Sequence, residues 1–326
     1  MTSLRSKFWS LIISKLIMKV GEIKDPDDIR RDMSGDKLSF LRDKWKREKY
    51  IDYTNYFIDH LEILELRNKK VKSNKTLLYL HGGGYVACGP ETHGALITQL
   101  SLITNSHVVF PIYRLAPENP FPAAIEDALI TYKDLLEKGI SPNEIFIAGD
   151  SAGGGLTLAL LQKIRSEELA MPSCAIVISP WTDLTLSGDS IHERGHRDPM
   201  IKPGPAMQVT VDAYCGGEDV NNPLISPLFA DYNDMPPIQI QVASEETIYD
   251  DSSRLYEKLK EQNPDKVEFI EWKGCSMFFK HFAQVGLQFQ RLKNLLNLLL
   301  NLLIYIFNQQ FFSYSYKLGQ RLFVNS

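Results

Sequence analysis

Two glycine-rich stretches carry residues arranged for acyl-transfer chemistry. Gly149-Asp-Ser-Ala-Gly153 lies between the short apolar run Ile145–Ala148 and a longer helix-forming run from Ala152 to Glu168. A strand, an abrupt turn and a helix form the setting in which the serine of a Gly-x-Ser-x-Gly turn stands out from a sheet edge as a nucleophile. The glycines two before and two after Ser151 remove the bulk such a turn cannot hold, and the helix N-terminus favours negative charge beside the hydroxyl. His81-Gly-Gly-Gly-Tyr85 follows a second apolar run, Thr76–Leu80. Its glycines let backbone come close to a substrate and aim N–H groups at one point. With the N–H of Ala152, those of Gly82 and Gly83 make a candidate oxyanion hole, each such donor being worth about 3 kcal/mol of transition-state stabilisation. Either stretch alone also reads as a plain glycine turn; the two together, in this order, are far more specific.

A serine hydrolase further needs an acid and a histidine, in the chain order Ser, Asp or Glu, His. The acid is expected after the strand ending near Ala243, where Glu245, Glu246, Asp250 and Asp251 are the candidates. Beyond residue 273 the chain has one histidine, His281. His60, His93 and His107 read as surface or packing residues. His192 and His196 lack carboxylates at ligand spacing, so no metal site is expected.

The elements that position these residues are legible as alternation. Strands are expected at 76–80, 107–113, 145–148, 175–178, 237–243 and 266–271, with helices at 92–104, 123–138, 152–168 and 251–260. Residues 52–66 read as earlier antiparallel strands. Strands alternating with helices predict an α/β fold, a mostly parallel central sheet covered on both faces, with ligands at the carboxyl ends of the strands. Residues 183–222, rich in Gly, Pro, His and Asp, break the alternation and read as a lid insertion. Residues 1–50 read as an N-terminal helical cap and linker. Within them Phe8, Leu11, Ile12, Leu16 and Val20 fall at helical spacing, and the segment is too short to span a bilayer.

The 326 residues are 44% hydrophobic and 23% charged, ordinary for a globular protein. A net charge of −4 implies no nucleic-acid partner. Four cysteines, Cys88, Cys174, Cys215 and Cys275, are widely spaced and suit a reducing, cytoplasmic location. No cofactor, no metal and no stable membrane insertion are expected; a homodimer is compatible with the reading.

Several blocks, in order, resemble the hormone-sensitive-lipase-like branch of the α/β-hydrolases, the fold-3 carboxylesterases. They are His81-Gly-Gly-Gly84, Tyr113-Arg-Leu-Ala-Pro-Glu118 with Pro120-Phe-Pro-Ala-Ala124 and Asp127, Gly149-Asp-Ser-Ala-Gly-Gly154, Ser179-Pro-Trp-Thr-Asp-Leu184, Ser226-Pro-Leu228, and Pro236–Val242 leading to Asp250-Asp-Ser252. The resemblance covers about residues 75–272. It implies an α/β-hydrolase core over 51–275 with a cap from the N-terminus and the insertion, and a serine carboxylesterase acting on short- to medium-chain esters through an acyl-enzyme on Ser151. It selects Glu246 as the acid; Arg114 and Glu118 read as buried ion-pair and loop-bracing residues.

The resemblance places the histidine at residue 277, which is Met277; His281 comes four positions late. Residues 276–326 form an atypical Leu/Asn/Phe-rich tail, in which Leu292–Ser326 is a monotonous mix of Leu, Asn, Phe, Ile and Tyr, unlike the body. A shift out of the ancestral reading frame near Ser276 accounts for both features. Two expectations follow: an esterase whose base is His281, or a catalytically impaired pseudo-hydrolase, either a small-ligand binder or a frameshifted product.

Overall fold

The computed structural model describes residues 25–33, 48–198, 201 and 203–273. The sequence of elements is α1 (Pro26–Met33), β1 (Ile51–Ile58), β2 (Leu61–Asn68), β3 (Thr76–Leu80), α2 (Pro90–Thr104), β4 (His107–Pro111), α3 (Ala123–Glu137), β5 (Ile145–Asp150), α4 (Ala152–Ser166), β6 (Cys174–Ile178), α5 (Ser190–Arg194), α6 (Pro205–Cys215), β7 (Ile238–Ala243), α7 (Tyr249–Gln262) and β8 (Val267–Trp272). The expected N-terminal helix around Phe8–Val20, Met277, His281 and the tail from 276 lie outside the described residues. Among the described residues the insertion carries the helices α5 and α6.

The eight strands form one sheet in the order β1-β2-β4-β3-β5-β6-β7-β8. β1, β2 and β4 pair antiparallel, and the strands from β4 through β3 to β8 pair parallel. β3 and the first four residues of β5 are buried at every position, as continuous apolar strands must be when helices cover both faces. α4 lies over the sheet centre: Leu156, Leu158, Leu160, Leu161 and Ile164 are fully enclosed, each contributing roughly 2 kcal/mol by leaving water. α3 packs against α4 on the same face.

Strand order reverses at β3. From β3 the chain steps outward to β4, then back across β3 to β5. Right-handed crossovers therefore put α2 and α3 on opposite faces and open a crevice at the carboxyl ends of β3 and β5. Leu80 is paired with Gly149 in register, so the glycine loop after β3 and the serine turn after β5 emerge side by side.

Candidate active site

β5 ends at Asp150 and α4 begins at Ala152, so Ser151 makes the turn alone. Its backbone lies at φ 51° and ψ −123°, a conformation that costs a residue with a Cβ on the order of 1–3 kcal/mol. Three backbone bonds hold it there. Ser151 donates to the Ile178 carbonyl at 2.9 Å, and the Ser151 carbonyl accepts from Trp181 at 2.9 Å and Gly155 at 3.1 Å. The flanking glycines answer close contacts: a Cβ on Gly149 would stand 2.2 Å from the Gly153 carbonyl oxygen, and one on Gly153 2.1 Å from that of Leu80.

The glycine loop departs from expectation at one position. The Gly82 N–H, expected to face the oxyanion, donates instead to Asp150 Oδ1 at 3.1 Å. Gly83 and Gly84 follow with φ 122° and 64°, angles that a side chain would oppose. Among the described residues the N–H groups of Gly83, Gly84 and Ala152 donate no hydrogen bond. For Ala152 this follows from its place in the first turn of α4, whose N–H groups have no intrahelical acceptor.

A buried polar cluster braces that loop from below. Asp150 Oδ1 also accepts from the Tyr79 hydroxyl at 2.8 Å, and His93 Nε2 lies 3.4 Å from its carboxylate. Burial alone would raise the Asp150 carboxyl; the His93 ring and the Tyr79 bond outweigh it and hold the group below the usual range. The Tyr113 hydroxyl donates to the His81 carbonyl at 2.6 Å, and its ring stacks on that of His81 at 4.2 Å. Burial pushes the His81 imidazole down to about 3, so the ring stays neutral. His93, read from sequence as a surface or packing residue, is the buried neighbour of Asp150. No sequence signal links the two, because 57 residues separate them.

Beyond β7, the connecting loop carries Glu245 and Glu246, and the first turn of α7 carries Asp250 and Asp251. Three are already engaged. Glu245 is half-buried and pairs with Arg197 at 3.5 Å, Asp250 accepts from the Ser190 N–H at 2.9 Å, and Asp251 accepts from the N–H groups of Thr182 and Asp183 at 2.7 and 2.8 Å. Glu246 differs. It is 1% exposed, and neither carboxylate oxygen has a hydrogen-bond partner among the described residues. Burial pushes its carboxyl well above the usual range; the nearby Ser179 hydroxyl pulls the other way, and the negative Asp198 adds to the rise.

Arg114 binds the buried Asp127 at 2.8 Å and Glu126 at 3.2 Å. Glu118 is exposed and pairs instead with Arg30 of α1, whose guanidinium also donates to the Val86 and Ala116 carbonyls at 2.8 and 2.7 Å. Both are braces, but of two separate pairs. Among the described residues no group of three or more His, Cys, Asp or Glu is placed to hold a metal, and no helix is long and apolar enough to cross a membrane.

A family model described as alpha/beta hydrolase fold matches residues 77–280. An acetyl-hydrolase of Streptomyces hygroscopicus is 41% identical over 202 residues, which is 62% of this chain and 67% of the relative. An esterase of Acinetobacter venetianus is 35% identical over 227 residues, 68% of this chain and 74% of the relative. Among solved structures, that of EstE5 soaked with p-nitrophenyl butyrate superposes with a TM-score of 0.76 at 30% identity, covering 89% of this chain and 98% of that one. An esterase from the bacterial hormone-sensitive lipase family superposes at 0.78 with 28% identity, covering 92% and 98%.

Proposed function

The chain belongs to the α/β-hydrolase fold family, in its hormone-sensitive-lipase-like branch of carboxylesterase-type serine hydrolases, and we propose that it cleaves short- to medium-chain carboxylic esters through an acyl-enzyme on Ser151. The observation that carries the reading is Glu246: a buried carboxylate with neither oxygen hydrogen-bonded among the described residues, at the carboxyl end of the sheet that also presents Ser151. A carboxylate so placed is suited to accept an imidazole N–H, fix its tautomer and stabilise the imidazolium that forms.

In this reading Ser151 Oγ attacks the ester carbonyl as its proton passes to the imidazole. The N–H groups of Gly83, Gly84 and Ala152 receive the oxyanion, each stabilising it by about 3 kcal/mol. The imidazolium returns the proton to the leaving alcohol, and water then releases the acid by the same route. We assign the base to His281, the histidine the sequence offers beyond β8. No cofactor takes part. The reading extends to a helical cap over residues 1–50, a cytoplasmic location, which suits the free Cys88, Cys174 and Cys215, and a homodimer.

The test is labelling with a fluorophosphonate probe alongside turnover of p-nitrophenyl acetate and butyrate. Wild-type protein is expected to label and turn over, Ser151→Ala to do neither, and Glu246→Gln and His281→Ala to lose turnover while staying folded. Labelling that survives Ser151→Ala, or a folded wild type that neither labels nor hydrolyses, overturns the reading. Full turnover in His281→Ala removes that residue from the mechanism.

A further inference from the structure

The insertion after β6 is expected to begin as a lid, yet its first stretch is bonded to the loop that carries Glu246, on both sides of that residue. On the near side, Arg194 Nη1 donates to the Ser244 carbonyl at 2.6 Å. On the far side, the Ser190 hydroxyl donates to the Thr247 carbonyl at 2.8 Å and accepts from the Asp250 N–H at 3.0 Å, while the Arg194 guanidinium lies 3.8 Å over the Tyr249 ring. Gly188 is pressed against this loop as well, since a Cβ there would stand 3.0 Å from that of Asp250.

The tightest part is a closed ring of three hydrogen bonds next to Glu246. Asp198 Oδ2 accepts from the Thr247 N–H at 2.9 Å, Asp198 Oδ1 accepts from the Ile201 N–H at 3.2 Å, and the Thr247 hydroxyl donates to the Ile201 carbonyl at 2.6 Å. Asp198 is 1% exposed and Thr247 is fully buried. A buried ionised carboxylate that accepts backbone N–H groups makes strong, charge-assisted bonds, and losing it would strand the buried Thr247 N–H. Fixing the Thr247 amide fixes the peptide plane that joins it to Glu246, and with it the direction in which the Glu246 side chain leaves the loop.

We propose that residues 188–198, with Ile201, are the mould of the acid loop and not a moving lid, and that Asp198 is the positioning residue that holds Glu246 in place through the Thr247 N–H. This rests on the reading of Glu246 as the catalytic acid. Asp198 has a second effect: its negative charge lies close enough to disfavour an isolated charge on Glu246, and the same charge favours a protonated imidazole beside that carboxylate.

The experiment compares Asp198→Ala, Asp198→Asn and Thr247→Val with the wild type, in the full chain. It reads hydrogen–deuterium exchange of peptides covering 244–249 and steady-state kinetics on p-nitrophenyl acetate. Asp198→Ala is expected to speed exchange in that segment and to lower kcat by roughly 100-fold, the effect of misplacing a catalytic group by about 1 Å, with KM within twofold. Asp198→Asn keeps one acceptor and is expected to recover most of the rate. If Asp198→Ala does not fold, Asp198→Asn and Thr247→Val must show the same two effects in smaller measure. Unchanged exchange at 244–249, or faster exchange with kcat intact while Glu246→Gln is crippled, overturns the proposal. If Glu246→Gln keeps wild-type turnover, the reading of the acid has failed instead, and exchange alone then decides whether Asp198 holds the loop.

Discussion

The Gly82 N–H and the Asp150 carboxylate meet at 3.1 Å across the gap between the ends of β3 and β5. The bond ties the glycine loop to the residue immediately before the nucleophile. The next two residues, Gly83 and Gly84, take left-handed angles, and among the described residues their N–H groups have no acceptor. A loop of three glycines is otherwise the most flexible piece of chain available, and a preorganised oxyanion hole needs the reverse.

Gly82→Ala tests that relationship. A Cβ at Gly82 would stand 2.3 Å from Asp150 Oδ2 and 2.9 Å from the Asp150 carbonyl oxygen, and the backbone oxygen cannot swing aside. The loop must shift, and kcat/KM for p-nitrophenyl acetate is expected to fall between roughly 10- and 100-fold. Asp150→Asn retains an acceptor for the Gly82 N–H and should fall less; a Gly82→Ala enzyme with wild-type kcat/KM refutes the bracing role.

The strained turn predicts a trade between stability and activity. Ser151 at φ 51° and ψ −123° occupies a region that glycine enters freely. Ser151→Gly is therefore expected to lose all turnover yet unfold at a higher temperature. The gain is about 1 kcal/mol, after the extra chain entropy of glycine is set against the relieved strain. Thermal denaturation of the two proteins side by side measures it; an unchanged or lower midpoint for the glycine variant removes strain from the account.

Glu246 predicts a pH dependence of stability. Its carboxyl is raised well above the ordinary value of 4.5, so the folded protein binds this proton more tightly than the unfolded chain does. Stability from this group is fully present below pH 4.5 and is lost as the pH rises through the folded value. Glu246→Gln, which carries no charge to bury, is expected to match the wild type near pH 4 and to become progressively more stable than it toward pH 8, while losing turnover. Urea denaturation at both pH values checks this; a difference that shrinks with rising pH contradicts a raised Glu246 carboxyl.

The hydrolase blocks were readable from sequence because they answer local rules. Gly149, Gly153 and Ser151 sit where a strand must turn sharply into a helix, and the apolar runs at 76–80 and 145–148 mark buried parallel strands by composition alone. The acid was narrowed by sequence to a short stretch holding Glu245, Glu246, Asp250 and Asp251, with family resemblance selecting one. Hydrogen bonding then distinguished Glu246 from the other three: its oxygens have no partner among the described residues, while the structure spends the others on Arg197, Ser190, Thr182 and Asp183.

What the chain order alone determined is the fold class, the nucleophile's turn and the branch of the family, because periodicity, glycine placement and motif order act over a few residues at a time. What only the tertiary structure decided is which groups are already engaged. Gly82 looks identical to Gly83 in sequence, and differs because the parallel pairing of β3 with β5 brings the Asp150 carboxylate to its N–H and not to the next. Asp198 and Thr247 are 49 residues apart, and no pattern in the chain joins them. A hydrogen bond between distant segments depends on directions that the sheet and its insertions set only after they have packed.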